Sequence, residues 1–362
     1  MRLRRSSVPR KTSNALPPHL RHDADLDIDL FPESMFYHTR FRRPLTLQHL
    51  VFFLYLPFGV LLCVLRILFI LLGSLFLFDM SKFFKCDSVF FKVFSFVLGV
   101  RVRVDNPELL NDADYRIIVS NHICEADALA IASAMGKVSL IVPAWYSKFI
   151  LTRKLTNLYY NPIFIQPKSS RHILHETVTS HLRNDRPSSH LPILLHPEGA
   201  LTNGKIALMS FNKFMFGLNV PIKPVAIRCR GSFHSVLNLD HLTTPVSYNI
   251  IWLLILPSVS WRITYLPTQT CGADEDSLAF SKRVQGLIAD QLGLDCSDYH
   301  VKQKYSLVLK HIKLRSVSFD TKEEDFGWSF SWFYSWKVRI SSRRRRKRDR
   351  SPRIRGFLKR WK

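Results

Sequence analysis

Residues 50–78 read LVFFLYLPFGVLLCVLRILFILLGSLFLF. A single membrane span needs about 20 apolar residues, so this run is long enough to enter a bilayer and too long for an ordinary core helix. Two complete spans would need about 40 residues and do not fit. Pro57 with Gly59 predicts a bend. Arg66 places a charge in the run, costly in lipid unless it reaches the interface. Arg40, Arg42 and Arg43 precede the run, and Lys82, Lys85 and Lys92 follow it. Cytosolic flanks carry the positive charge. Residues 44–82 are therefore expected to form a membrane-inserted re-entrant hairpin with both ends in the cytosol, with a single tilted span as the alternative.

The charge points the same way. The chain of 362 residues carries a net +24, and residues 337–362 hold 14 Lys/Arg against the single acid Asp349. A basic excess of this kind seeks a polyanion, either an anionic membrane or nucleic acid. The tail segment FGWSFSWFYSWKVR, residues 326–339, spaces aromatics beside the polybasic SSRRRRKRDR. Aromatic rings beside such a cluster suit a bilayer surface with anionic lipids. A solvated tail is the bland alternative, and nucleic-acid binding or an import signal is a third. A membrane-inserted chain has little use for nucleic acid, so that partner is not expected. The six cysteines, at 63, 86, 124, 229, 271 and 296, form no CxxC pair and no zinc-type spacing. They read as reduced, cytosol-facing thiols with no metal. The first 48 residues are polar and arginine-rich, unlike an ordinary cleavable signal peptide.

Along the chain, residues 1–43 read as a flexible basic arm, with DADLDIDL at 23–30 as a solvated segment or docking strip. Residues 83–104 read as an amphipathic helix running into a strand. Strand patterns then recur at 116–121, 139–145, 161–167, 191–199 and 220–229, and helical periodicity at 126–135, 172–182 and 274–294. The stretch 248–261 is apolar but too short to span, and reads as core or an interfacial patch. This alternation predicts one α/β domain over 83–295, a mixed, mostly parallel sheet flanked by helices. Residues 296–362 are expected to be a largely disordered basic, aromatic tail. No G-x-x-x-x-G-K-[ST] or G-x-G-x-x-G run occurs, so phosphate-loop nucleotide binding has no support.

Two strand ends carry chemistry. VSNHICEAD, residues 119–127, sets His122 five positions ahead of Asp127, after a buried strand. Active-site groups in α/β sheets gather at such strand ends. On a regular helix, positions i and i+5 lie about 140° apart and do not meet. His122 is therefore expected in the loop and Asp127 in the first helical turns, where its carboxylate fixes the imidazole tautomer and leaves the other nitrogen as a base. Backbone N–H groups at the helix start are expected to hold a developing oxyanion. A second His-x4-Asp match, His22 and Asp27, has no strand before it and is set aside. The other piece is ILLHPEGALTNG, residues 193–204, a strand ending in Pro197-Glu198-Gly199 and a polar turn with Thr202.

These blocks resemble the glycerolipid acyltransferase family, of the lysophosphatidic acid acyltransferase type, over about residues 85–295. Asn121-His122-x4-Asp127 is similar to the family's first block. Pro197-Glu198-Gly199 is similar to its third, with His196 where Phe is usual. The strand Val220-Pro221-Ile222-Lys223-Pro224-Val225 is similar to its fourth. Within the family, the apolar run, the IIVSNH strand, the PEGALTNG turn and IIWLLILP most resemble the ancient ubiquitous protein branch.

The resemblance implies a glycerolipid acyltransferase-like fold. It implies acyl-CoA as co-substrate with no bound cofactor, and a lysophospholipid or glycerol phosphate as acceptor. It casts His122 as base and Asp127 as its orienter, with Glu198 and Gly199 in the acceptor-binding block. Asn121, Pro197, Thr202 and Pro224 would support them. The second block of the family ends in an arginine that binds the acceptor phosphate. Here Pro167 stands in that place, leaving Lys168 or Arg171 as substitute cations, and Ala200 stands where Thr is usual. The branch likeness implies an alternative, a weak or inactive acyltransferase-like adaptor with partners in protein degradation. Either way the resemblance implies the endoplasmic reticulum membrane or lipid droplets, with the termini and the α/β domain facing the cytosol.

Overall fold

The computed structural model describes residues 31–73, 87–148, 153–154, 156–157, 160–166, 171–183 and 191–311. A single helical turn at Phe31–Ser34 leads to α1 (Leu47–Leu72), which is followed by α2 (Asp87–Val97) and β1 (Val100–Asp105). The units β2 (Ile117–Ser120), α3 (Asp127–Met135), β3 (Val138–Pro143), β4 (Tyr160–Ile165), α4 (Arg171–Arg183) and β5 (Ile193–Leu195) come next. A two-residue β6 (Ala207–Leu208) precedes β7 (Ile222–Gly231), α5 (Val246–Ile255) and β8 (Val259–Tyr265). Then α6 (Ser277–Leu292), β9 (Asp295–Cys296) and α7 (Val301–His311) close the described chain.

Seven strands form one sheet in the order β1-β8-β7-β2-β5-β3-β4, and β6 pairs with β9 separately. Neighbours in the large sheet run parallel except β7 and β8. This is the mixed, mostly parallel sheet that the alternation predicts. The reason lies in β2, whose Ile117, Ile118 and Val119 are fully buried. Strands covered by helices on both faces read as continuous apolar runs. One face packs Ile118 with Ile131, Leu194 and Trp261, the other Ile117 with Val178, Ile193 and Ile288. Since Val119 pairs with Leu195 in parallel register, β2 and β5 deliver their following loops to the same sheet edge.

Three expectations need correction. First, α1 continues through Pro57 without turning back. One proline in an apolar helix removes one hydrogen bond, and packing along α5 holds the helix on both sides of it. Gly59 is where the two helices approach: a Cβ there would lie 2.9 Å from Ile255 Cγ2. Tyr55 donates its hydroxyl to Ile255 O at 2.8 Å. Arg66 points into the protein and does not reach for the interface. Its guanidinium donates to the carbonyls of Val97, Leu254, Leu256 and Pro257. The opposite face, including Leu50, Leu54, Phe58, Leu61, Leu65 and Leu68, is exposed. Residues 74–86, where a hairpin's return would begin, lie outside the described residues.

Second, the basic arm ends earlier than 43. Met35 and Phe36 are buried, and the backbone of 37–42 bonds to residues 236–242. Third, residues 301–311 are a packed helix and not loose tail. Leu307 joins Met35, Phe36, Ala200, Ala207, Met209 and Leu242 in one apolar cluster. The chain's two flanks thus meet over the turn that follows β5. DADLDIDL and the aromatic, polybasic tail lie outside the described residues.

Candidate active site

Asn121 fixes the loop after β2. Its Oδ1 accepts from Ile227 N at 2.9 Å and its Nδ2 donates to Ile227 O at 3.0 Å. That pins the loop to β7 and turns His122 out of the sheet. Asp127 then opens α3 with a fully buried carboxylate. Its Oδ2 faces His122 Nδ1 at 3.1 Å and accepts from Ile123 N at 2.6 Å and Cys124 N at 2.8 Å. Its Oδ1 accepts from Trp261 Nε1 at 2.8 Å. Burial alone would raise the carboxyl pKa, but the hydrogen bond and charge of His122 and the backbone donors hold it below its ordinary value. An ionised Asp127 makes Nδ1 of His122 the protonated nitrogen and leaves Nε2 free as a base.

The imidazole is shifted as well. Burial opposes its charged form, yet the bond and charge of Asp127, with the charges of Glu125 and Glu198, lift its pKa above the ordinary 6.5. The His122 side chain is 20% exposed.

The turn after β5 holds His122 by its backbone. Glu198 Oε1 accepts from His122 N at 2.8 Å and Oε2 accepts from Met209 N at 2.9 Å. Thr202 N donates to His122 O at 2.9 Å. Glu198 and Thr202 are each 1% exposed. Glu198 is therefore a bracket beneath the base, where the resemblance implies a role in acceptor binding. Burial pushes its pKa up to about 7 against the pull of those two N–H donors. Gly199 adopts φ +68 beside Val301 of α7, a conformation L side chains rarely take. Pro197 accepts from Asn212 N, and Pro224 lies on β7 opposite Val119. Lys168 lies outside the described residues. Arg171 begins α4, and its side chain is outside them too.

Several residues escape the sequence reading. Trp261 is one, hidden in an alternating stretch read as core or patch. Glu125, between His122 and Asp127, is another. Burial pushes its carboxyl up to about 7, and Asn249 donates to it at 3.4 Å. Asn249 also binds Asp240 and Arg40. Lys304 of α7 is buried, donates to Leu201 O and lies 3.9 Å from Asp240. No sequence signal marked Lys304. The signal for His196 was plain, a histidine where Phe is usual. Its ring stacks on His122 with centroids 4.2 Å apart and planes 5° apart.

One expectation narrows inside the site. In the loop ahead of the helix the N–H groups are already spent, since His122 N goes to Glu198 and Ile123 N and Cys124 N to Asp127. They are not free to hold an oxyanion. A possible metal grouping, Cys124, Asp127 and Cys229, has ligand atoms within 4.8 Å of one another. Burial raises both thiol pKa values and Asp127 already takes four donors, so the group fits a packed wall around the carboxylate better than a metal site.

Residues 101–228 match the family model described as Acyltransferase. The lipid droplet-regulating VLDL assembly factor AUP1 of Danio rerio is 28% identical over 201 residues, 55% of this chain and 44% of that protein. Human glycerol-3-phosphate acyltransferase 4 is 34% identical over 128 residues, 34% of this chain and 26% of that protein. The chain thus spans less than half the length of these curated relatives. A solved structure, the 1-acyl-sn-glycerophosphate acyltransferase PlsC of Thermotoga maritima, aligns with a TM-score of 0.47 at 15% identity, covering 66% of this chain and 97% of that one. Residues 101–228 thus carry the Acyltransferase signature, and the relatives that share it here include glycerol-3-phosphate acyltransferases.

Proposed function

We propose that the protein is a membrane-associated acyltransferase that moves a fatty acyl group from acyl-CoA to the hydroxyl of a lysophospholipid or glycerol phosphate. The observation that carries this reading is the His122–Asp127 pair, bonded at 3.1 Å with the base side chain partly open. His122 Nε2 takes the acceptor's hydroxyl proton as its oxygen attacks the thioester carbon. A C–O bond forms and the carbonyl pair moves onto oxygen. Collapse breaks the C–S bond, and the departing CoA thiolate takes the proton from His122. A positioned histidine contributes typically about 10²–10⁴-fold to such a step. Asp127 keeps the tautomer and steadies the imidazolium. Glu198 and Thr202 keep the loop in register.

The membrane reading rests on α1, which among the described residues is the one helix long and apolar enough to cross a bilayer. Its exposed apolar face continues onto Val93 and Phe96 of α2 and Tyr248, Ile250 and Ile251 of α5. Buried together in a bilayer surface, these faces anchor the domain with its site close to lipid substrates. The endoplasmic reticulum or lipid droplets, with the domain on the cytosolic side, are the proposed location. The basic tail would add attraction for anionic lipids.

A second reading is favoured by the similarity to AUP1, which is named as a lipid droplet-regulating factor. On it the domain is a scaffold for protein partners on the same membranes. The deciding experiment offers labelled acyl-CoA to the purified full chain with a panel of lysophospholipids and glycerol 3-phosphate, beside His122→Ala. Product from wild type that vanishes in the variant supports the enzyme. No product from folded wild type overturns it and leaves the adaptor.

A further inference from the structure

Three cations and a histidine meet at one place on the folded domain. Arg42 lies just ahead of α1, Lys205 in the loop between β5 and β6, Arg230 at the end of β7, and His234 in the turn beyond it. Arg42 Cζ stands 5.9 Å and Lys205 Nζ 5.3 Å from the centroid of the Tyr37 ring. Arg230 Nη2 contacts His234 Nε2. Arg42 N donates to Val236 O at 2.8 Å, and Arg42 Nε to Asn238 Oδ1 at 2.9 Å, which ties the two groups together. Burial, then the charges of Arg230, Arg42 and Lys205, holds the His234 pKa below its ordinary 6.5, so all three charges reach one imidazole. Among the described residues no carboxylate makes an ion pair with any of the four. Asp240, whose charge bears on Tyr37, is buried, accepts from Asn249 and lies 3.9 Å from Lys304. Lys205 and Arg230 are exposed. Like charges gathered without a counter-ion repel one another, and an arriving anion relieves them.

The cluster borders the exposed apolar face of the domain. Arg42 precedes Leu45 and Leu47, both exposed, at the start of α1. Phe233, beside His234, packs its ring 5.1 Å from the rings of Phe52 and Tyr55 on α1. With the faces of α1, α2 and α5 laid into a bilayer surface, this border falls at the depth of the lipid head groups, where cations meet phosphates. We infer that Arg42, Lys205, Arg230 and His234 form a binding site for the phosphate monoester of a glycerolipid head group. Guanidinium forks suit pairs of phosphate oxygens, and Lys205 adds a point charge. The phosphate has two possible sources, a hydroxyl-bearing acceptor or a fully acylated lipid of the bilayer, and the same four side chains serve both.

The inference rests on the membrane-association reading, and the test separates the two. Flotation of the full chain with neutral phosphatidylcholine vesicles tests that reading alone. The site is tested by melting the full chain in neutral detergent with dihexanoyl phosphatidic acid, lysophosphatidic acid or dihexanoyl phosphatidylcholine. Wild type is compared with Lys205→Arg and with the double variant Lys205→Gln, Arg230→Gln. A ligand that binds the folded chain raises its melting temperature. The expected rise in wild type is about 5 °C or more with a phosphate monoester lipid in hundredfold excess over its Kd, and none with phosphatidylcholine. Lys205→Arg keeps that rise and the double variant loses it. Every variant carries the same basic tail, so the difference reads the site. Without lipid the double variant melts within about 2 °C of wild type, since both side chains are exposed. A rise with lysophosphatidic acid alone makes the source the acceptor; a rise with both makes it bilayer lipid as well. No rise in wild type with either, or equal rises in wild type and the double variant, overturns the proposal. A chain that fails to float removes the membrane reading, and this inference with it.

Discussion

Replacing Asp127 by Asn keeps the side chain's size and removes its charge. The native carboxylate takes three donors on Oδ2, from His122, Ile123 and Cys124, and one on Oδ1 from Trp261. An amide offers one oxygen. Turned towards His122 and the two backbone groups, it sets its NH2 against Trp261 Nε1–H. Turned the other way, it faces three donors. The first arrangement is the cheaper. It leaves opposed donors at about 1–3 kcal/mol and weakens three charge-assisted bonds by about 1 kcal/mol each. The expected destabilisation is about 4–6 kcal/mol. At about 2–4 °C per kcal/mol for a body of this size, the melting temperature falls by about 10 °C or more. Intrinsic tryptophan fluorescence of the full chain in detergent reads this directly. Trp261→Phe in the Asp127→Asn background removes one of the opposed donors, so the double variant is less destabilised than the sum of the singles. A melting temperature within 2 °C of wild type, or additive single effects, would refute the account of Asp127 as a four-donor hub.

The base should work only when neutral, so kcat/KM rises with pH through a midpoint above 6.5, the direction in which Asp127, Glu125 and Glu198 shift His122. Glu125→Gln removes one of the charges that lift it and moves that midpoint to lower pH; an unmoved midpoint counts against the assignment. Arg66→Met leaves the carbonyls of Val97, Leu254, Leu256 and Pro257 without their donor, a loss of about 3 kcal/mol or more. Limited proteolysis should then cut near α1 and α5, and an unchanged digest would contradict the tie that Arg66 makes between them. Gly204→Ala places a Cβ 2.8 Å from Ile123 Cδ1 at φ +62. The displaced Ile123 should weaken its N–H bond to Asp127 and lower transfer by more than the melting temperature suggests, which the rate and the melt measured together will show.

Much of the site was legible because its parts are local. β2 is apolar throughout and ends at Asn121-His122, so the strand, the loop and the helix-opening Asp127 follow from one short segment. The PEG turn marked a second strand end, but its parallel pairing beside β2 came only with the structure. What escaped depends on contacts far apart in sequence. Trp261 meets Asp127 only because β8 lies against β7. Lys304 and Arg66 read as surface or interfacial charges, since a lone cation does not reveal the carbonyls that will surround it. The segment 31–43 looked like an arm because its partners, the backbone of 236–242, show no pattern in their side chains. The commitments of the N–H groups of 122–124 escaped for the opposite reason. N–H groups in a short loop look free in sequence, but here the first carboxylate of α3 folds back on those of Ile123 and Cys124.

The pairing of residues 31–42 with α7 across the PEG turn has a practical consequence for cutting this protein. The family signature occupies 101–228, yet Gly199 abuts Val301, Leu201 O is held by Lys304, and Asn203 bonds to Ser34 and Met35 through their carbonyls. A fragment trimmed to the signature, or ended at 295, would expose the underside of its own PEG turn. The smallest unit with a closed site runs from about Phe31 to His311. A premature stop just before α7 therefore strips the packing from the turn that brackets His122, although it falls tens of residues beyond any motif.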